Sequence, residues 1–285
     1  MEHEYYMKRC LQLAENGRQN AKPNPMVGAV IVAQNRIIGE GYHVRFGEGH
    51  AEVNAFLSVK PEDEMLLNEA TIYVSLEPCS HYGKTPPCAD LIISKGIKRC
   101  VCGCVDPFAK VQGRGIQRMR DAGIEVIVGV MEKECLALNR RFITFNAKHR
   151  PYILLKWAQT LNGFISRKGG PLQLSTPKTQ MLVHQLRAEN DAILVGHTTF
   201  LTDHPRLDVR QWSGQNPERI VLSPTMSAQN ARPSNWTVAA TIDEVLAHLY
   251  ATKKQSLVVE GGRMTLQAFI DRGLWDEIRI ETAPV

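Results

Sequence analysis

Apolar positions along the chain follow two periods, and the alternation between them lays out the elements. From Glu4 to Arg18, Met7, Cys10, Leu11 and Ala14 recur at helical spacing and Gly17 closes the run, which predicts an opening helix. The apolar run Val27 to Ala33 predicts a buried strand and Arg36 to Gly41 its hairpin return. A helix from His50 to about Pro61 and a strand from Ala70 to Leu76 come next. Pro87 suits the first turn of a helix over Cys88 to Lys95. Lys98 to Val105 reads as a strand with Cys100, Cys102 and Cys104 on one face, expected to be core. A helix ending at Ala122, a strand Ile124 to Val128 and a helix from Glu132 to about Asn146 complete a first α/β pattern.

Lys148 to Pro151 is a polar join, after which a second α/β pattern starts. Its strand Ile153 to Ala158 carries Lys156 among apolar neighbours, which places that lysine at a sheet edge or against an anion. Thr176-Pro177 is an N-cap and first-turn pair for a helix running to Glu189, and Ala192 to Gly196 is the next strand. Leu257 to Glu260 runs into Gly261-Gly262 and a helix to Arg272, with a last strand from Glu277 to Thr282. A strand ending in glycines before a helix is a ready anion site, although it is not a G-x-G-x-x-G fingerprint. Ser213 to Asn216 and Ser223 to Asn235 read as polar loops.

Composition narrows the class. The 285 residues allow two domains, divided here as 1–147 and 148–285, and 44% hydrophobic with 22% charged residues is the balance of a globular protein. No apolar run is long enough for a membrane span and the polar Met1-Glu2-His3-Glu4 is no signal peptide, so a cytoplasmic location is expected. Seven cysteines without a secretory signal point to reduced thiols. A net charge of +5 favours anionic ligands but is too mild to argue for nucleic acid.

The candidate chemistry lies between His50 and Cys88. His50, Cys79 and Cys88, each expected at a helix start, supply one nitrogen and two thiolates, a set that suits zinc and leaves a fourth position open for water. Glu52, two residues after His50, is placed to move that water's protons. Zinc deaminases carry H-x-E followed by P-C-x-x-C; here both cysteines follow a proline, but eight residues separate them. A closed structural site with His81 or Cys104 as fourth ligand would leave Glu52 without a role. Asn24, between Pro23 and Pro25, serves either to hydrogen-bond a substrate or simply as a turn residue.

Pro23-Asn24-Pro25 with Val27-Gly28, His50-Ala51-Glu52 and Glu77-Pro78-Cys79-Ser80-His81 to Thr85-Pro86-Pro87-Cys88 resemble the bifunctional deaminase/reductase of riboflavin biosynthesis. In the second half Lys156, Leu161 and Gly163, Leu186-Arg187-Ala188, Asp191 to Gly196, Asp203 with Pro205, and Glu260-Gly261-Gly262 resemble its reductase domain. The resemblance implies a cytidine-deaminase-like three-layer α/β domain followed by a dihydrofolate-reductase-like α/β domain. It implies Zn2+ and NADPH as cofactors, and a small pyrimidine ribosyl phosphate as substrate. It also implies a homo-oligomer without nucleic-acid or membrane partners. The first domain is expected to deaminate the diaminopyrimidinone with Glu52 as catalytic residue and Asn24, His81 and Lys84 meeting the substrate. The second is expected to reduce ribosyl to ribityl, with Ala158, Thr199, Asp203 and Gly262 on NADPH, and Lys156, Arg187, Leu207, Arg210 and Glu260 on the substrate. The alternatives are a deaminase with a degenerate reductase domain, or a deaminase of another nucleobase or nucleoside.

Asn162, His204 and the residues near Gln173 depart from the family pattern. Relatives continue past Ala283-Pro284, so the second domain is expected to be C-terminally incomplete and Glu277 to Thr282 to lack sheet neighbours.

Overall fold

The computed structural model describes residues 2–82, 86–106, 112–165, 174–228 and 234–283. The chain divides into two compact units, Met1–Ala147 and Lys148–Val285.

The first unit opens with helix α1 (Glu2–Glu15), the hairpin β1 (Gly28–Ala33) and β2 (Arg36–Tyr42), and helix α2 (Ala51–Leu57). A 3-10 helix over Pro61–Glu69 follows, then β3 (Thr71–Val74), α3 (Cys88–Ser94), β4 (Arg99–Cys102), α4 (Arg114–Asp121) and β5 (Glu125–Val128). The sheet order is β2-β1-β3-β4-β5, antiparallel across β1 and parallel from β3 to β5. One face packs Ala29, Ile31, Ile72 and Cys100 against α2, α3 and α4 through Ala55, Ile92 and Met119. The other packs Val30, Tyr73 and Val101 against Met7 and Cys10 of α1. With both faces covered, β1 is apolar at every position, which is why it reads as an unbroken run.

Two expectations are corrected here. β4 stops at Cys102, and the bend after it carries Cys104 to the opposite face, beside Cys135, while Cys100 and Cys102 stay together. All four are buried, so the trio is core but not on one face. The helix expected from Glu132 to Asn146 is two helices, α5 (Glu132–Leu138) and α6 (Arg140–Lys148). The break is at buried Asn139, whose Oδ1 accepts from Met26 N at 2.8 Å and whose Nδ2 donates to Met26 O at 2.9 Å. That pairing ties the helix corner to the chain entering β1, where a straight helix could not follow.

The second unit has β6 (Tyr152–Thr160), α7 (Pro177–Glu189), β7 (Ala192–Gly196), α8 (His197–Asp203), β8 (Glu218–Leu222) and α9 (Pro224–Ala228). It continues with β9 (Thr237–Ala239), α10 (Ile242–Ala251), β10 (Ser256–Val259), α11 (Arg263–Asp271) and β11 (Glu277–Ala283). All six strands are parallel, in the order β11-β6-β10-β7-β8-β9. One face buries Leu155, Leu194 and Leu257 under α10 and α11 through Leu249 and Phe269. The other buries Leu154, Ile193 and Val258 with Leu186 of α7 and Leu207. Thr176 caps α7 by accepting from Thr179 N.

The stretch read as a loop from Ser223 contains α9; β8 and β9 extend the sheet and α10 packs on it where no element was expected. Glu277 to Thr282 does find a neighbour: β11 pairs in parallel along β6 from Glu277↔Leu154 to Ala283↔Thr160. β6 is therefore an interior strand, and Lys156 is not at a sheet edge. Asn162 accepts from Thr160 Oγ1 at 2.5 Å, and His204 ends α8 in the left-handed region. Gln173 lies outside the described residues. Among the described residues no helix is long and apolar enough to cross a membrane.

Candidate functional site

Three segments of the first unit meet at one point. His50 is the N-cap of α2, reached by the loop that follows β2, and Cys88 is the first residue of α3. Cys79 is not at a helix start, as had been expected; it lies in the loop after β3, and its sulfur accepts from Cys88 N at 3.3 Å, so it caps α3 from outside. His50 Nδ1 stands 3.6 Å from Cys79 Sγ and 3.3 Å from Cys88 Sγ, and the ligand atoms of all three lie within 4.8 Å of one another. Among the described residues no other group of three His, Cys, Asp or Glu side chains is so arranged. One nitrogen and two sulfurs at this separation fit a zinc ion with an open position. Cys104 is on the far face of the sheet and no part of this group.

The electrostatics suit a cation. Cys79 is the sulfur held as thiolate, its pKa lowered to about 4, first by the Cys88 thiol and then by His50 and the Cys88 N–H. Cys88, donating to that thiolate, is pushed upward. His50 is raised by its bond to Cys79. Glu52 is 3% exposed, and burial, then the charge on Cys79, raises its pKa to about 7. A carboxyl poised there can both take and give a proton near neutrality.

His50, Cys79 and Glu52 line a cavity of about 410 Å3 whose wall also includes Asn24, His43, His81 and Phe142. Asn24 makes the expected turn, Asn24 N to Ala21 O at 2.9 Å, yet its side chain also reaches the cavity wall. His43 organises it, a residue that sequence reasoning missed. Its Nδ1 lies 3.1 Å from Gly49 O, which can only accept, so Nδ1 carries the hydrogen and Nε2 accepts from Asn24 Nδ2 at 3.1 Å. Burial lowers the His43 pKa and keeps the ring neutral for that role. The amide of Asn24 is thus oriented, with Nδ2 turned to the histidine. Lys84 lies outside the described residues.

In the second unit the residues expected at the substrate gather in part. Arg187, in the last turn of α7, pairs with Glu260 at 2.8 Å and reaches Asp208 O at 3.4 Å. Leu207 is buried beside Leu186, and Arg210 N donates to His184 Nδ1 at 3.3 Å. Lys156 is buried and faces Glu281 of β11 at 3.6 Å; Glu281 had no sequence motif, only the charged side of an alternating strand whose other face is Ile278 and Ile280. Leu155 pairs with Val259, so Lys156 and Glu260 each stand one residue beyond the same rung of the sheet. Arg187 Nε, Glu260 Oε1 and Glu281 Oε1 are buried with no hydrogen-bond partner among the described residues. Buried polar atoms without partners are rare, and their concentration on these pairs fits a polar ligand.

The residues expected at NADPH sit at the strand C-terminal ends, where parallel sheets place their ligands. A Cβ on Gly262 would lie 3.0 Å from Thr199 Oγ1, so the glycine turn and α8 are in contact, and Gly196 N donates to Gly261 O at 2.8 Å. Asp203 follows Thr199 by one turn on the same face of α8 and is exposed. Ala158 is apart from them on β6, opposite Glu281. A cradle of bare glycine backbone beside a hydroxyl and a helix start fits a phosphate-bearing cofactor.

The family model for the cytidine and deoxycytidylate deaminase zinc-binding region matches residues 1–104, and that for the RibD C-terminal domain matches residues 151–285. The riboflavin biosynthesis protein RibD of Aquifex aeolicus is 39% identical over an alignment that covers 98% of this chain and 86% of the relative. The chain belongs to the RibD family. RibD of Bacillus amyloliquefaciens is 35% identical, with 99% of this chain and 84% of that protein covered. Among solved structures, the diaminohydroxyphosphoribosylaminopyrimidine deaminase/5-amino-6-(5-phosphoribosylamino)uracil reductase of Thermotoga maritima superposes with a TM-score of 0.86 at 40% identity, over 95% of this chain and 84% of that one. Acinetobacter baumannii RibD does so with a TM-score of 0.87 at 31% identity, over 100% and 87%. As a RibD family member the chain is an enzyme of riboflavin biosynthesis, with a zinc-binding deaminase domain and a reductase domain.

Proposed function

We propose that the first domain hydrolyses an amino group from a diaminopyrimidinone carrying ribosylamine 5′-phosphate, and that the second reduces the ribosyl group of the product to ribityl with NADPH. The observation that carries the reading is the convergence of His50, Cys79 and Cys88 on one point, beside a buried Glu52, with His50, Cys79 and Glu52 on the wall of one cavity.

In the first step His50, Cys79 and Cys88 hold zinc. When bound, zinc supplies a Lewis acid that lowers the pKa of a water to about 7. Glu52 takes a proton from the attacking water as its oxygen bonds to the amino-bearing ring carbon, and returns it to the ring nitrogen. It then carries the second proton to the departing amine, the carbon–nitrogen bond breaks, and ammonia leaves a carbonyl behind. The raised pKa of about 7 lets one carboxyl do both halves. Asn24, fixed by His43, holds the substrate's polar edge.

In the second step Ala158, Thr199, Asp203 and Gly262 hold NADPH, and the Thr199–Gly262 contact supports that assignment. When bound, NADPH supplies the hydride for C1′ of the sugar. Arg187 and Arg210 meet the phosphate, a task that suits the guanidinium fork, while Glu260 and Leu207 hold the rest of the substrate. Lys156, paired with Glu281 at 3.6 Å, sits against the ribose. Glu281 thereby joins the site through the lysine. The phosphorylated substrate and NADPH both favour a cytosolic place of work.

The experiment supplies the purified chain with the already deaminated ribosylaminouracil phosphate and follows NADPH absorbance, and in parallel measures ammonia from the diamino substrate. Both activities are expected from the one chain. Ammonia release without NADPH consumption, in a protein folded by circular dichroism, would refute the second step; no ammonia from a zinc-loaded chain would refute the first.

A further inference from the structure

Glu77 stands two residues before Cys79 and is 4% exposed. Among the described residues its carboxylate forms no ion pair, and backbone N–H groups hold it instead. Oε1 accepts from Gly115 N at 2.9 Å and Ile116 N at 3.3 Å, and Oε2 from Gly113 N at 2.9 Å and Asp106 N at 3.2 Å. Three of these donors belong to the start of α4, whose free N–H groups and helix dipole favour a negative charge. Glu77 N in turn donates to Cys104 O at 3.0 Å, just after β4.

The segment that follows has no slack. A Cβ on Gly115 would lie 2.0 Å from Pro78 O, so α4 abuts the Pro78 carbonyl with only a hydrogen between them. One residue on, Cys79 O accepts from Ala89 N at 3.1 Å while its sulfur accepts from Cys88 N at 3.3 Å. Cys79 is thus the only one of the three converging side chains carried by a loop, and that loop is tied on one side to α4 through Glu77 and on the other to α3.

We infer that Glu77 is the positioning residue of the metal site, the anchor that sets the Cys79 sulfur at its distance from His50 and Cys88. The inference rests on reading those three side chains as zinc ligands. A carboxylate is required because four N–H groups converge on it. An amide has one acceptor oxygen and would present its own NH2 to the remaining donors, so the loop must shift to relieve them. Groups behind a metal ligand set affinity in this way without touching the metal.

The test is Glu77→Gln in the full chain, with zinc affinity read by chelator competition, the cobalt(II)-substituted spectrum, and NADPH consumption by the second domain as an internal control. Zinc affinity is expected to fall roughly 10–100-fold. The sulfur-to-cobalt charge-transfer band is expected to move or weaken, while the reductase rate holds. Glu77→Asp, which keeps the charge on a shorter stem, is expected to recover part of the affinity, and it is the deciding variant if the glutamine chain does not fold. Wild-type affinity and an unchanged cobalt spectrum in a folded variant would overturn the inference, even with a lowered melting temperature, because Glu77 would then be ordinary scaffold. A wild-type chain that takes up no zinc would overturn the metal-site reading itself, and the inference with it.

Discussion

Replacing Glu52 by glutamine removes one proton acceptor from an otherwise intact site. The side chains match in size, and Glu52 is 3% exposed on the cavity wall, so the amide fills the same space. It is not among the three side chains whose ligand atoms lie within 4.8 Å of one another, so zinc content is expected to stay at the wild-type level. What is lost is the carboxyl with a pKa of about 7 that serves both proton transfers. General acid–base catalysis is worth about 10²–10⁴ in rate, and each tenfold is about 1.4 kcal/mol of barrier, so about 3–5 kcal/mol is at stake. Burial makes the upper half of that range the expectation, because bulk water has little access to replace the lost base. The assay is ammonia release at saturating diamino substrate, with zinc by atomic absorption and reductase turnover on the deaminated intermediate as controls. A kcat within tenfold of wild type, in zinc-loaded Glu52→Gln, would refute the proton-shuttle role.

Other perturbations test the frame around the sites. Arg187→Lys keeps the charge but loses the fork, leaving the phosphate and Glu260 to share one ammonium; the reductase KM for its phosphorylated substrate is expected to rise about tenfold or more, the equivalent of one charge-assisted hydrogen bond, and an unchanged KM would remove Arg187 from the site. Asp276 is half-buried and accepts from Arg150, Lys148 and Ile153 N. Burial raises its pKa, but those donors outweigh it and hold it below the usual carboxylate range. Since the folded value is the lower one, its stabilisation is complete above the unfolded pKa of about 3.9 and is lost as pH falls through the folded value. Asp276→Asn should therefore cost about 1–3 kcal/mol at pH 7 and flatten the acid limb of a melting-temperature profile; parallel profiles would contradict this. Asn139→Ala strips both hydrogen bonds from the Met26 backbone and is expected to cost the first unit about 1–3 kcal/mol by urea denaturation, with no loss if the α5–α6 corner is held by packing alone.

The deaminase centre was legible because its chemistry is local and dense. His50, Glu52, Cys79 and Cys88 lie within one stretch at a spacing that suits one metal and one proton carrier, and β1, α3 and the strands between them follow plain periodic signals. The reductase half was less so. α10 does carry a signal, a Thr241 cap with Ile242, Val245 and Leu249 on one face, but β8 and β9 are five and three residues long and take their strand character from neighbours in the sheet.

What the sequence by itself determined was the set of donors, the two α/β patterns and the join between them near Lys148. Residue type and period are properties of the chain and survive without its neighbours. Only the tertiary structure decided which atoms meet. It took Cys104 to the far face because the strand ends at Cys102, broke a helix at Asn139 because Met26 offers that side chain two better bonds, and gave Lys156 its partner in Glu281, 125 residues away. It also turned Glu77 and His43, unremarkable as letters, into the groups that hold Cys79 and Asn24 in place. Hydrogen bonds and ion pairs between distant segments depend on register and burial, and those exist only once the whole sheet has closed.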